Sequence, residues 1–359
     1  METLKIFKIL IILIFFYHKK KLNEKIKIFN FLTDRDISIE NFMKLKNKPK
    51  NQNNNLIFEE RNNFLNFISN ISGFNITFVD TIFLTQNFRF GNLLIILNKL
   101  LFYCEIIKCK KILLDKNYSW FIRNKIYYSE YNITIEIGDP KNYLNKDTIF
   151  DISDNFLYYF SSIKPEFRLN IIKNEIINNL PLVEIKPNDL YIYIRSGDIF
   201  KIYNPFYSQP PLCFYRNIIN NNTFINIYII SQDKLNPVIN RLIEEYPNII
   251  FHLNPIQIDI AYLINAYNIV GGISTFINVL IRLNDNLKFF WEYNIDSIKA
   301  KIIHFHHSFY KPFKNITYFR MEPSSKYKIE MSKWNHTEYQ LDLMLNEKCS
   351  NNFIKYKDI

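Results

Sequence analysis

A chain of 359 residues, 48% hydrophobic and 17% aromatic, holds enough apolar side chains for the cores of two ordinary domains, which excludes wholesale disorder. Its net charge of +11 raises nucleic acid or an anionic surface as a partner, but the lysines are scattered and no RNA- or DNA-binding fingerprint stands beside them, so no nucleic-acid partner is expected. Asn, Ile, Lys, Phe and Tyr abound beside only 6 glycines, and because the skew runs through apolar and polar stretches alike it reads as coding bias.

In chain order, residues 1–20 carry Lys5 and Lys8, then the wholly apolar run Ile9–Tyr17, closed by His18, Lys19 and Lys20. That length suits a signal h-region, and no small-x-small cleavage pattern follows. An uncleaved signal-anchor is therefore expected, with an apolar N-terminal strand or helix as the alternative. Residues 21–77, which include the polar low-complexity run Lys44–Asn55, read as a stem or linker. Seven N-x-S/T sequons, at Asn70, Asn75, Asn117, Asn132, Asn221, Asn315 and Asn335, fit a lumenal domain behind such an anchor. Together these features predict a single-pass type II protein of the endoplasmic reticulum or Golgi membrane.

Residues 78–187 read as a first α/β domain. Strands are expected at Thr81–Leu84, Lys111–Asp115, Ile133–Ile137 and Thr148–Ile152, with a buried helix over Leu93–Cys109. Residues 188–345 read as a second domain in which strands and helices alternate strictly. The strands fall at Leu190–Arg195, Ile225–Ser231, Ile249–Leu253, Asn268–Gly271 and Leu287–Trp291. Helices fill the gaps, starting at Pro210-Pro211, Pro237, Ile258 and Thr275. That alternation predicts a doubly wound parallel sheet. An amphipathic helix is expected in the tail, between Met321 and Cys349.

Of the four cysteines, none form a C-x-x-C pair, which argues against a zinc or thioredoxin-like motif. Cys104 and Cys109 are five apart on one expected helix, a poor geometry for a bridge. Cys213 can bridge to Cys349 in an oxidising lumen; four buried thiols are the alternative. His304, His306 and His307 lack a carboxylate at ligand spacing, so no metal site is expected.

Ligands of doubly wound sheets bind beyond the carboxyl ends of the strands, and three segments there carry suitable chemistry. Arg195 ends an apolar strand, followed by Ser196, Gly197 and Asp198; it is either a planar clamp for a diphosphate or the partner of Asp198 in an internal ion pair. Asp233 follows the next strand and either accepts hydrogen bonds from a nucleotide or is a turn residue. Gly271 and Gly272 lead into Ser274 and Thr275, which either offer an anion site at a helix start or simply cap it.

The order of these segments resembles that of the fucosyltransferase superfamily, the α1,2-, α1,6- and protein O-fucosyltransferases. Tyr191–Asp198 is similar to the family's H-x-R-R-x-D or H-x-R-x-G-D segment, Ile227–Asp233 to the strand and acid that follow, and Asp259–Phe276 to the segment whose hydroxyls touch the nucleotide phosphates. Arg89–Asn92 is similar to the family's R-x-G-N opening. The resemblance spans roughly residues 85–290, with the family's histidine replaced by Tyr193 and its second arginine by Ser196. It implies a GT-B-like fold of two Rossmann-like domains, the first on the acceptor side and the second holding the donor. It further implies a GDP-sugar donor substrate, GDP-fucose by default, with no cofactor, and metal-independent inverting transfer to a glycan or glycoprotein acceptor. In that frame Arg195 and Asp198 are the catalytic candidates. Arg195 meets the β-phosphate, Asp233 the guanine side, and Ser274 with Thr275 the phosphates. Tyr193 stands at the base or ribose contact, and Gly91 with Asn92 in the donor-binding opening. The competing readings are a carbohydrate- or nucleotide-binding protein without catalysis, and a transferase using another nucleotide sugar.

Overall fold

The computed structural model describes residues 80–84, 89–120, 122, 125–128, 132–138, 149–151, 169–201, 207–272, 274–293, 316–349 and 353–357. The expected anchor, the stem, the three histidines and the sequons at Asn70, Asn75 and Asn315 lie outside them. Among the described residues no helix is long and apolar enough to cross a membrane.

The chain is mixed α/β with two mainly parallel sheets. The first contains β1 (Thr81–Leu84), β2 (Lys111–Leu114), β3 (Ile126–Tyr128), β4 (Ile133–Ile137) and β5 (Ile149–Asp151) in the order β3-β4-β2-β1-β5. Only the β3–β4 pair is antiparallel. Helix α1 (Phe90–Ile107) follows β1. Its apolar side chains from Leu93 to Leu101 are almost all buried, which is why it reads as hydrophobic on every side. Helix α2 (Asn170–Asn178) leads towards the second half.

The second sheet contains β6 (Leu190–Tyr193), β7 (Ile227–Ile230), β8 (Ile249–His252), β9 (Asn268–Gly271), β10 (Phe289–Tyr293), β11 (Thr317–Met321) and β12 (Phe353–Lys357), ordered β12-β11-β10-β9-β6-β7-β8. All neighbours are parallel except β11 and β12. Between the strands run α3 (Leu212–Asn220), α4 (Pro237–Glu245), α5 (Ile256–Asn265) and α6 (Thr275–Leu283), and the tail adds α7 (Ser325–Met331) and α8 (Glu338–Asn346). The central strands β6, β7 and β9 read as near-continuous apolar runs because both of their faces are covered. Leu190, Ile192, Ile227 and Ile229 face a core shared with α3, α4, α7 and α8. Alternation sends Tyr191 and Tyr193 to the other face, where they meet Tyr262 of α5 and Phe276 of α6.

Local chemistry fixes the helix starts. Asn236 caps α4 by accepting from the Val238 amide, with Pro237 in the first turn. Thr337 and Gln340 form a reciprocal capping box on α8. The expected tail helix is thus two helices joined by the segment that carries buried Trp334.

Two differences from the sequence reading concern the cysteines and the edge strands. Cys104 and Cys109 are paired, with Cα atoms 4.7 Å apart. The helix ends at Ile107, Lys108 turns left-handed (φ 58°), and the Cys109 amide folds back onto the Cys104 carbonyl. The two thiols therefore do not share a helix face, and the objection to their bridging falls. Cys213 pairs with Cys349 at a Cα separation of 5.6 Å, fastening the tail to α3. Strands β3, β11 and β12 were not expected; β3 and β12 pair antiparallel at sheet edges, where a strand of three residues and one interrupted by Lys355 and Lys357 carry little hydrophobic pattern.

Candidate functional site

Each sheet reverses its winding at one place, and the two places face each other. In the second sheet β6 lies between β7 and β9, so the connections leaving β6 and β9 diverge and open a crevice beyond Tyr193 and Gly271. In the first sheet β1 lies between β2 and β5, and α1 starts after β1. The beginnings of α1 and α6 abut: a Cβ on Gly91 would lie 2.6 Å from the Phe276 amide nitrogen and 2.9 Å from the Thr275 carbonyl carbon. Glycine is required there by close backbone approach. Beside it, Thr275 Oγ1 donates to Asn92 Oδ1 at 2.8 Å, and Phe90 packs edge-on to Phe276. Gly91, Asn92 and Thr275 thus form the junction between the two helix starts.

Tyr193, Arg195, Asp198 and Ser274 surround that junction. Arg195, largely buried, places Nη2 3.3 Å from Asp198 Oδ2, and its guanidinium stacks over the Tyr207 ring at 4.2 Å. Arg89, the residue before α1, reaches the same Asp198 oxygen from the first half at 2.7 Å. Asp198 is therefore the shared counter-ion of two arginines, while its Oδ1 is buried without a hydrogen-bond partner. Burial raises the Asp198 carboxyl, but the Arg89 hydrogen bond and the two guanidinium charges outweigh that, and the group sits below the ordinary carboxylate range. It is a poor proton acceptor at neutral pH.

Ser274 caps α6, accepting from the Phe276 amide at 3.2 Å, and lies 3.4 Å from the Tyr193 hydroxyl. Burial pushes that hydroxyl above its usual range, partly offset by the Arg195 charge and the Ser274 contact. Tyr193 is thus a neutral hydroxyl at the mouth of the crevice.

Asp233 stands apart from this group. Its Oδ1 accepts from the Ser196 hydroxyl, from the Gly197 amide at 3.1 Å and from the Leu235 amide at 3.0 Å. The three donors belong to the turn after β6 and the turn after β7, which Asp233 thereby ties together.

Sequence reasoning assigned no role to Asp259. It lies in the first turn of α5, where a helix start favours the ionised form. Burial nevertheless pushes its carboxyl up to about 7, against a lowering hydrogen bond from Asn254. Its Oδ1 is buried with no hydrogen-bond partner, and its charge is felt at the Tyr193 hydroxyl. The signal was a single acid on a helix whose other first-turn residues are Ile256, Gln257 and Ile258.

No family model matches the chain, and neither a curated protein nor a solved structure matches it.

Proposed function

We propose that this chain is a glycosyltransferase with a GT-B-like arrangement of two Rossmann-like halves, taking a GDP-sugar, GDP-fucose by default, as donor. The observation that carries the reading is the meeting of two winding reversals at one junction, with Arg89, Arg195 and the starts of α1 and α6 on its rim. Helix starts and guanidiniums both favour a phosphate, and two arginines sharing one carboxylate leave an excess positive charge for a dianionic diphosphate. Asp259, beside the hydrogen bond it takes from Asn254, adds one buried oxygen, Oδ1, that meets no donor of the described residues and suits an N–H of a ligand such as the guanine edge.

In the reaction the bond from the sugar's anomeric carbon to the β-phosphate oxygen breaks, and its electron pair leaves with the diphosphate. The acceptor oxygen attacks the opposite face of that carbon, and its proton passes to solvent water as the new C–O bond forms. Arg195 and the α6 start would stabilise charge that grows on the leaving diphosphate, and so would act most strongly in the transition state. Asp198, held ionised between two arginines, orients them and is the wrong group to collect the proton. Paired cysteines and exposed sequon asparagines at 117, 132, 221 and 335 support a lumenal setting, with the apolar run near the N-terminus as its membrane anchor and a glycan or glycoprotein as acceptor.

The test is Arg195→Ala beside Arg195→Lys, assayed for GDP affinity, sugar transfer and melting temperature. The alanine variant is expected to fold and to lose transfer by about a hundredfold, roughly 3 kcal/mol, with little recovery in the lysine variant. A well-folded alanine variant with unchanged GDP affinity would remove the phosphate clamp and leave Arg195 as a structural ion-pair partner.

A further inference from the structure

The turn that presents Arg195 is built by residues of a different loop. After β6 the chain passes through Arg195 and Ser196 into Gly197, whose φ of 71° is left-handed and favours glycine. The side chain of Gln232 lies against Gly197 so closely that a Cβ would overlap it. From the turn after β7, Asp233 Oδ1 receives the Ser196 hydroxyl and the Gly197 amide, and also its own loop's Leu235 amide. Asn236, 1% exposed, completes the joint. Its amide donates to Ser196 Oγ at 3.0 Å and its Nδ2 to the Arg195 carbonyl at 3.1 Å. The Ser196 hydroxyl is thus held from both sides, donating to one residue of the β7 turn and accepting from another.

We infer that Asp233 is a positioning residue for Arg195, acting through Ser196 and Gly197. One acceptor oxygen, rather than a negative charge offered to the ligand, is what the site requires at this position. The inference deepens the proposed function and rests on Arg195 meeting the donor phosphates. The physical argument is the use of a single oxygen: three protein donors converge on Oδ1. An amide side chain offers the same acceptor with no charge. A guanidinium is useful for in-line displacement only when its fork is fixed, and the backbone of Arg195 is fixed here by the joint that Asp233 and Asn236 make.

The experiment compares Asp233→Asn, Asp233→Ala and Ser196→Ala in the full-length chain. The readouts are GDP titration calorimetry, melting temperature and amide hydrogen exchange of peptides covering residues 195–201. Positioning predicts that Asp233→Asn keeps GDP affinity within about threefold of wild type and keeps the segment protected. Asp233→Ala should lose affinity by about thirtyfold and raise exchange across the segment by about tenfold. Ser196→Ala, which removes one of the three donors, should fall between them. The inference is overturned if Asp233→Asn loses as much affinity as Asp233→Ala while both keep the 195–201 segment protected, because the carboxylate charge is then what the ligand meets. Should Asp233→Ala fail to fold, Asp233→Asn and Ser196→Ala still decide the matter. A wild-type chain that binds no GDP removes the donor reading, and the exchange pattern alone then decides whether Asp233 orders the turn.

Discussion

Helices α1 and α6 start against each other but are finished differently. The start of α6 is closed by its own sequence, because Ser274 accepts from the Phe276 amide two residues on. The start of α1 has no side-chain cap; the preceding residue is Arg89, whose guanidinium extends instead to Asp198. One helix start is therefore held by local capping and the other by tertiary contact. The difference teaches that the junction depends on close backbone approach at Gly91 rather than on the intrinsic quality of either helix.

The largest effect expected from breaking this comparison is Gly91→Ala. Helix propensity alone would make alanine better by about 1 kcal/mol, but the new Cβ would meet the backbone of Thr275 and Phe276 within 3 Å, and backbone cannot swing aside. Destabilisation of about 3 kcal/mol is expected, read as a drop in unfolding midpoint by denaturant titration. A variant as stable as wild type would show that the two starts do not bear on each other.

A third helix start, that of α5, sharpens the contrast, because there burial overrides the helix dipole at Asp259. The folded carboxyl holds its proton up to about 7, whereas the unfolded one releases it near 3.8. Between those values the native state binds more protons, so the stability of wild type should fall as pH rises through that window. Asp259→Asn should flatten the dependence, with a difference on the order of 2 kcal/mol after allowing for partial exposure. The comparison is of melting temperatures at pH 5 and pH 8, and parallel pH profiles for the two chains would contradict it. Guanine binding through the ionised carboxylate should weaken in the opposite direction, as pH falls through about 7.

The smallest effect is the cap itself. Ser274→Ala should cost about 1 kcal/mol, and Ser274→Gly clearly less, whereas no cap is available to remove on α1. Equal losses in the alanine and glycine variants would mean that the Tyr193 contact, not capping, is what Ser274 supplies.

The sequence by itself determined the alternation of the second half, because strands buried on both faces must be apolar throughout and the helices between them are punctuated by Pro237, Ser274 and the Gly271-Gly272 pair. Strand β9 and helix α6 fall at the bounds expected for them. Arg195, Tyr193 and Ser274 were legible as candidates because each lies at or just past the carboxyl end of a strand. Edge strands β3 and β12 were not legible, since a three-residue strand and one broken by lysines owe their pairing to neighbours rather than to their own pattern. The Cys104–Cys109 pairing was hidden for a related reason: one left-handed residue, Lys108, changes where a five-residue spacing leads. Only tertiary structure decided the partners. Asp198 became the counter-ion of an arginine 109 residues away, Asp233 turned inward to brace the Arg195 turn, and Asp259 was given a buried, weakly acidic carboxyl. Charge and hydrogen-bonding capacity are written in the residue type, but what satisfies them is set by distances that only the folded chain creates.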